Sequence, residues 1–362
     1  MSMSRIAAVC SALPPHRHRQ AELAAMTAEL CAVPSGRRAL LDRLSAHAGV
    51  ETRHTALPLA DYKRLAGLGP TNDLYIEHAA ALGEVAVRRA LTSAGIRPEE
   101  VDLFVVTSVT GVAVPSLDAL LIPRLGLRSD VKRVPMFGLG CVAGAAGLAR
   151  IHDYLLAWPR QTAVLLAVEL CSLSIPLVDA SVSDLVVSAL FGDGSAAVVV
   201  RGSEVPARGP RIVATHSEVC PDSSDVLGWR LGSDGFRIVL TTELADVVER
   251  HLGGVVRDFL AKHELALGDV TAWVCHPGGP KVIDAVRDSL GLEEEALATA
   301  RASLAEVGNL SSASVLHVLE KTLTTRQATQ QAAPWPEPGT PGLLIGLGPG
   351  VSIELVLLEW QD

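Results

Sequence analysis

GLGCVAGAAGLARIHDYLLAWPRQTAVLLAVEL, residues 138–170, passes from a glycine-rich turn through an alanine-rich helical segment at 142–157 into an apolar strand at 163–168. A run of strand length that is apolar at every position fits a strand buried on both faces, with helices laid against it. The same alternation continues outward, with Val-rich runs at 103–106 and 196–200 and a second alanine-rich helical segment at 74–95. The fold class read from this pattern is α/β.

Residues 201–210 form a polar connector containing Gly and Pro, after which a second series begins. It holds strand-like runs at 211–215, 236–240, 273–275 and 343–345, and helices at 243–263, 280–290 and 311–323. This places a boundary near residue 208 and divides the chain into halves at 1–208 and 209–362. Both halves run strand, helix, strand and end in a Gly-rich turn feeding an apolar strand, so internal duplication is an open reading. Residues 324–341 read as an exposed loop before a final pair of strands.

Composition narrows the function classes. With 362 residues, 49% hydrophobic and 20% charged, the chain belongs with globular proteins and is long enough for a substantial core. A net charge of −9 without any Lys/Arg-rich run excludes a nucleic-acid footprint. Cysteines 10, 31, 141, 171, 220 and 275 form no CxxC pair and no metal-ligand spacing with histidine, so they read as reduced thiols of a cytoplasmic protein without metal. Residues 6–13 read as a first strand rather than a signal sequence. The longest apolar region, 163–178, is interrupted by Glu169 and Pro176, which argues against an integral membrane segment.

Three residues carry candidate chemistry. Cys141 sits between the glycine turn and the start of a helix, where free N–H groups and the helix dipole lower a thiol pKa toward thiolate. On this segment alone, a buried cysteine without function fits equally well. His276 closes the apolar run 273–275 in the turn His276-Pro277-Gly278-Gly279-Pro280, and strand ends are where α/β proteins display catalytic groups. A structural histidine is the other reading. Asn309 stands in Gly308-Asn309-Leu310-Ser311-Ser312-Ala313, where a helix cap competes with a catalytic donor.

Taken together, Gly-Cys-x-Ala-Gly, His-Pro-Gly-Gly-Pro and Gly-Asn-x-Ser-Ser-Ala, in this order and at these separations, resemble the type III polyketide synthases, relatives of chalcone synthase. Leu190-Phe191-Gly192-Asp193-Gly194-Ser195 and Gly346-Leu347-Gly348-Pro349-Gly350 extend the resemblance, which runs from about Arg37 to Glu354. It implies a thiolase-like layered αβαβα fold built from two similar halves, coenzyme A thioesters as substrates, no cofactor, and a homodimer. By the resemblance, Cys141 is the nucleophile that carries the acyl chain and His276 is its base. His276 and Asn309 together donate hydrogen bonds to the malonyl thioester oxygen. The enolate left by loss of CO₂ needs such preorganised donors.

The resemblance also assigns a substrate cavity. Phe191 aligns with a gating phenylalanine between the coenzyme A tunnel and the cavity, with core packing as the alternative. The family's second gating phenylalanine falls on Ile238. Cys171, Leu173 and Ser174 occupy a segment that carries threonines in chalcone synthase, and Trp229 replaces a glycine. Ser311, Gly348 and Pro349 are placed at the cavity, with a plain type II turn as the other reading of the glycine segment. Arg43 matches one basic contact to the coenzyme A phosphates; its two companions are not kept, and Arg37, Arg38 or His47 are candidate substitutes. Val114 stands where the family often has a methionine reaching into the neighbouring subunit.

For the product, the segments Leu227-Gly228-Trp229-Arg230 and Gly235-Phe236-Arg237-Ile238-Val239-Leu240 are most similar to bacterial enzymes that make alkylresorcinols or alkylpyrones from fatty acyl starters. A tunnel lined by Val112, Val114, Leu173 and Ile238 would suit an alkyl chain, since each buried methylene gains roughly 0.8 kcal/mol. Tetrahydroxynaphthalene synthases, which use malonyl-CoA alone, typically carry cysteine where Val109 stands. The alternatives are that naphthalene-type reading, a single-condensation ketoacyl synthase and a catalytically silent partner subunit.

Overall fold

The computed structural model describes residues 3–31, 33, 35–65, 67–174, 181–232, 235–328 and 337–360. The strands of the first half are β1 (Arg5–Ala12), β2 (His16–Arg19), β3 (Thr52–Thr55), β4 (Leu103–Thr107), β5 (Lys132–Met136), β6 (Thr162–Leu170) and β7 (Asp193–Arg201). The second half supplies β8 (Arg211–Val219), β9 (Leu227–Gly232), β10 (Gly235–Leu240), β11 (Ala272–Cys275), β12 (Pro341–Gly348) and β13 (Ser352–Glu359). Nine of these form one mixed sheet in the order β11-β12-β13-β8-β1-β7-β6-β4-β5. Strands of the two halves meet at a single register pair, Arg5 with Arg211.

The unbroken apolar runs are explained by burial on both faces. Along β6, Ala163, Leu165 and Ala167 belong to one hydrophobic cluster, while the alternate Val164, Leu166 and Val168 belong to another. The second cluster is closed by Ala79, Ala86, Val87, Ala90 and Leu91 on the helix Leu68–Ala94. The first is closed by the helices Ala143–Ala157 and Ser314–Ala328, which pack on each other and on strands of both halves. They make the central helical layer. Phe259 of the helix Leu244–Ala261 stacks on His216 of β8 with ring centroids 5.7 Å apart, so that helix covers the second half of the sheet. The result is a layered α/β fold.

The run 236–240 is a strand, as its pattern indicated, and pairs with β9 in a separate two-stranded hairpin outside the large sheet. One expectation needs correction. Residues 324–328 continue the helix Ser314–Ala328 instead of opening a loop, and Pro341 already begins β12. The remainder of that expected loop, 329–336, lies outside the described residues, as do 175–178 of the long apolar region.

Candidate active site

Each member of the candidate trio is held by a turn at an element's end. Cys141 lies in the 3-10 turn Gly140–Val142 that leads into the helix Ala143–Ala157. His276 follows β11, and its backbone N–H donates to the carbonyl of Ile345 on β12 at 2.9 Å. Asn309 precedes the 3-10 turn Ser311–Ala313, which leads into the helix Ser314–Ala328. Cys141 and Asn309 therefore stand at the heads of the two central helices.

All three line one cavity, together with Leu190, Phe191, Leu227, Ile238, Leu240, Leu244, Val248, Gly278, Val282, Leu347, Gly348 and Val351. Apart from Cys141, His276 and Asn309, every side chain in that wall is apolar. The Asn309 amide is oriented by its neighbours: Oδ1 accepts from the Ser311 backbone N–H at 2.8 Å and from Ser314 Oγ at 3.1 Å. Nδ2 is thereby fixed as the donor end, giving one hydrogen to the Gly278 carbonyl at 3.3 Å. His276 is buried, and its Nδ1 has no hydrogen-bond partner among the described residues.

The Cys141 thiol donates to Ser311 Oγ at 3.6 Å. Burial pushes that thiol up to about 12 and pulls the His276 imidazole down to about 4. Desolvation therefore outweighs the lowering anticipated from the helix start, and each group taken alone is neutral at pH 7. A single charge is what burial penalises; a thiolate beside an imidazolium is a compensated pair. Desolvation therefore disfavours ionising either group on its own.

Behind Ser311 lies a buried acid that sequence reading noticed only as an interruption of an apolar region. Glu169, at 0% exposure, accepts from Ser312 Oγ at 2.5 Å, Thr110 Oγ1 at 2.9 Å, the Val109 N–H at 3.0 Å, Ser108 Oγ at 3.3 Å and Ser311 Oγ at 3.4 Å. Burial raises its pKa, and the donated hydrogen bonds oppose that rise. Its sequence signal was a lone carboxylate within the otherwise apolar run 163–170.

Other assigned residues fall elsewhere. Phe191, Ile238 and Gly348 line the cavity with the trio, whereas Cys171, Leu173, Ser174, Trp229, Ser311, Pro349 and Arg43 are not in its wall. Leu173 packs in the core cluster under the helix Leu68–Ala94, and Ser174 Oγ turns back to the Cys171 carbonyl at 3.0 Å. Trp229 packs edge-on against Phe236 across the hairpin at 6.4 Å. Arg43 is exposed on the helix Ser35–Ala46. The alkyl tunnel is not formed as expected: Val112 and Val114 are 47% and 93% exposed, and Val112 borders a different cavity of about 300 Å³ with Tyr75, Met136 and Phe137. Gly348, which lines the cavity, also has a packing role. A Cβ on Gly348 would lie 2.7 Å from Val142 Cβ and 2.8 Å from its backbone N, so the glycine lets β12 approach the Cys141 turn.

Comparison with known proteins matches this arrangement over nearly the whole chain. Residues 2–204 match the chalcone and stilbene synthases, N-terminal domain, and residues 211–360 match the C-terminal domain of the same family. The chain belongs to the chalcone and stilbene synthase family. It is a type III polyketide synthase, an acyltransferase that extends chains with malonyl-CoA. It is 52% identical to a 1,3,6,8-tetrahydroxynaphthalene synthase of Streptomyces peucetius subsp. caesius, over 98% of this chain and 93% of that protein. It is 29% identical to the alpha-pyrone synthesis polyketide synthase-like Pks18 of Mycobacterium tuberculosis, over 94% of this chain and 87% of that one. Among solved structures, the 1,3,6,8-tetrahydroxynaphthalene synthase of Streptomyces coelicolor A3(2) superposes with a TM-score of 0.91 at 30% identity, covering 99% of both chains. No described helix of this polyketide synthase is long and apolar enough to cross a membrane.

Proposed function

We propose that this type III polyketide synthase uses malonyl-CoA as both starter and extender and releases a cyclised naphthalene-type product. The observation that carries this reading is the 52% identity, over 98% of the chain, with a tetrahydroxynaphthalene synthase. Of Val112, Val114, Leu173 and Ile238, the residues expected to line an alkyl tunnel, Ile238 alone lines the cavity with Cys141, His276 and Asn309, which gives the alkyl starter less support. Cys141 takes the acyl group from coenzyme A, with its proton passing to His276. His276 and the fixed Nδ2 of Asn309 stabilise the enolate formed when CO₂ leaves, and the enolate carbon then attacks the Cys141 thioester. The apolar remainder of the wall offers no nucleophile to intercept the reactive chain.

The same proposal includes the partners. Exposed Arg43 on the helix Ser35–Ala46 is assigned to the coenzyme A phosphates, without a metal or other cofactor. A homodimer is assigned to the face around β5, the sheet's edge strand, where Val112, Val114, Val134 and Phe137 are exposed; an open apolar edge calls for cover. Free cysteines accord with a cytoplasmic location.

The deciding experiment incubates the enzyme and its Cys141→Ala variant with malonyl-CoA alone, and then with acetyl-CoA or octanoyl-CoA added, with products identified by mass spectrometry. A naphthalene-type product from malonyl-CoA alone, absent in Cys141→Ala, is the expected result. Product formed only when octanoyl-CoA is present would overturn it in favour of an alkyl starter. Intact malonyl-CoA throughout would point to a silent partner subunit.

A further inference from the structure

A guanidinium is buried directly behind Phe191 and Asn309. Arg53, on β3, is only 5% exposed. Its Nε and Nη2 donate to Gln20 Oε1 at 3.1 and 2.9 Å, and its Nη1 donates to the carbonyls of Ser188 and Phe191, each at 2.7 Å. Gln20 in turn gives Nε2–H to the Ala189 carbonyl at 2.8 Å. The next carbonyl, Leu190, accepts the backbone N–H of Asn309 at 2.8 Å, and the Gly192 N–H returns to the Asn309 carbonyl at 3.0 Å.

The physical logic is that of a helix C-terminus. The helix Val182–Leu190 ends in carbonyls that lack partners within the helix and carry the negative end of its dipole. Here four successive carbonyls, Ser188 to Phe191, are satisfied by Arg53, Gln20, Asn309 and Arg53 again. A buried cation is tolerated because carbonyl oxygens surround it. Asp193, the carboxylate whose charge favours protonated Arg53, is itself bonded to the Ala56 N–H and to Ser172. The junction has no slack: a Cβ on Gly308, which has a φ of +74°, would lie 2.7 Å from the Leu190 carbonyl and 2.9 Å from the Arg53 side chain.

We propose that Arg53 is a positioning residue that fixes the Phe191 and Asn309 backbones as one unit, so that its loss slows malonyl-CoA decarboxylation while leaving Cys141 reactive. Cys141 stands in the turn Gly140–Val142 ahead of the helix Ala143–Ala157, and its thiol bonds to Ser311 rather than to Arg53 or Gln20. Loss of Arg53 would free the Ser188 and Phe191 carbonyls that flank the Leu190 carbonyl on which the Asn309 N–H is anchored. Lysine in place of Arg53 supplies one ammonium on a flexible stem and cannot reach Gln20 and two carbonyls with a planar fork. This rests on Asn309 acting as a donor to the malonyl thioester oxygen, as the proposed function states.

The test uses the full-length enzyme as wild type, Arg53→Lys, Gln20→Ala and Asn309→Ala. Two rates are measured, CO₂ release from malonyl-CoA and alkylation of Cys141 by iodoacetamide followed by peptide mapping. Arg53→Lys is expected to lower kcat for CO₂ release roughly tenfold or more, as misplacement of a catalytic group does, with KM within about twofold and alkylation unchanged. Gln20→Ala keeps the guanidinium but removes its acceptor, so it should show the same split at smaller size and carries the test if Arg53→Lys is insoluble. CO₂ release unchanged in both clamp variants, with Asn309→Ala impaired, would overturn the proposal. So would parallel loss of CO₂ release and alkylation in soluble clamp variants, which marks a purely structural residue. Unimpaired CO₂ release in Asn309→Ala would instead remove the role of Asn309 on which the proposal stands.

Discussion

At the scale of single residues, the informative conflict is between the thiol and its surroundings. Burial alone would leave Cys141 protonated up to about 12 and His276 neutral down to about 4. Only their joint ionisation evades that penalty, so the imidazole should set the thiol's reactivity. Replacing His276 with Gln is expected to move the alkylation profile of Cys141 to higher pH and to slow iodoacetamide labelling at pH 7 by about tenfold or more. Unchanged labelling would mean that another group takes the proton. The trio itself could be found in the sequence because each member sits in a short glycine-bearing turn. Glu169 and the pairing of Cys141 with Ser311 could not, because Ser108, Val109, Thr110, Ser311 and Ser312 reach Glu169 from two distant segments with no spacing rule between them.

At the scale of elements, the sequence predicted several helices and the buried strands well, because their apolar periodicity is strong: 142–157 is observed as Ala143–Ala157, 280–290 as Pro280–Leu290, and 163–168 lies within β6. The hairpin of β9 and β10 was not legible as separate from the large sheet, since a strand's pattern does not name its partner. Close approaches between elements were also invisible, and Gly348 tests one. Gly348→Ala would press a methyl group onto the backbone of the Cys141 turn, with Leu139 O also 2.9 Å from the added carbon. The expected cost is roughly 1–3 kcal/mol of stability, with a fall in condensation rate larger than the melting shift explains. Gly228→Ala in β9 adds a methyl with nothing within 4 Å and serves as the control that should leave both melting and rate near wild type.

At the scale of the whole molecule, one hydrophobic cluster joins Leu165 and Val198 of the first half to Leu344 and Leu355 of the second, so global stability reports on groups buried anywhere in it. His317 is such a group, set on the central helix Ser314–Ala328 with Nδ1 against Ser303 Oγ at 2.8 Å. Desolvation, reinforced by the Lys321 charge and opposed by Glu306, pulls its pKa from 6.5 down to about 4. The folded state therefore binds fewer protons than the unfolded one between these values. The stability this contributes is present above the unfolded pKa of 6.5 and is lost as pH falls toward 4, on the order of 3 kcal/mol in full. Asp193 works with the opposite sign, since burial raises its carboxyl to about 6, and its contribution grows as pH falls through that value. The two overlap, so the wild-type melting curve alone cannot separate them, but a difference between variants can. His317→Gln keeps a polar partner for Ser303 and removes the titration. Between pH 7 and pH 4.5 its melting temperature should fall less than that of wild type, and equal falls would show that His317 is protonated in the folded enzyme as readily as in the unfolded chain.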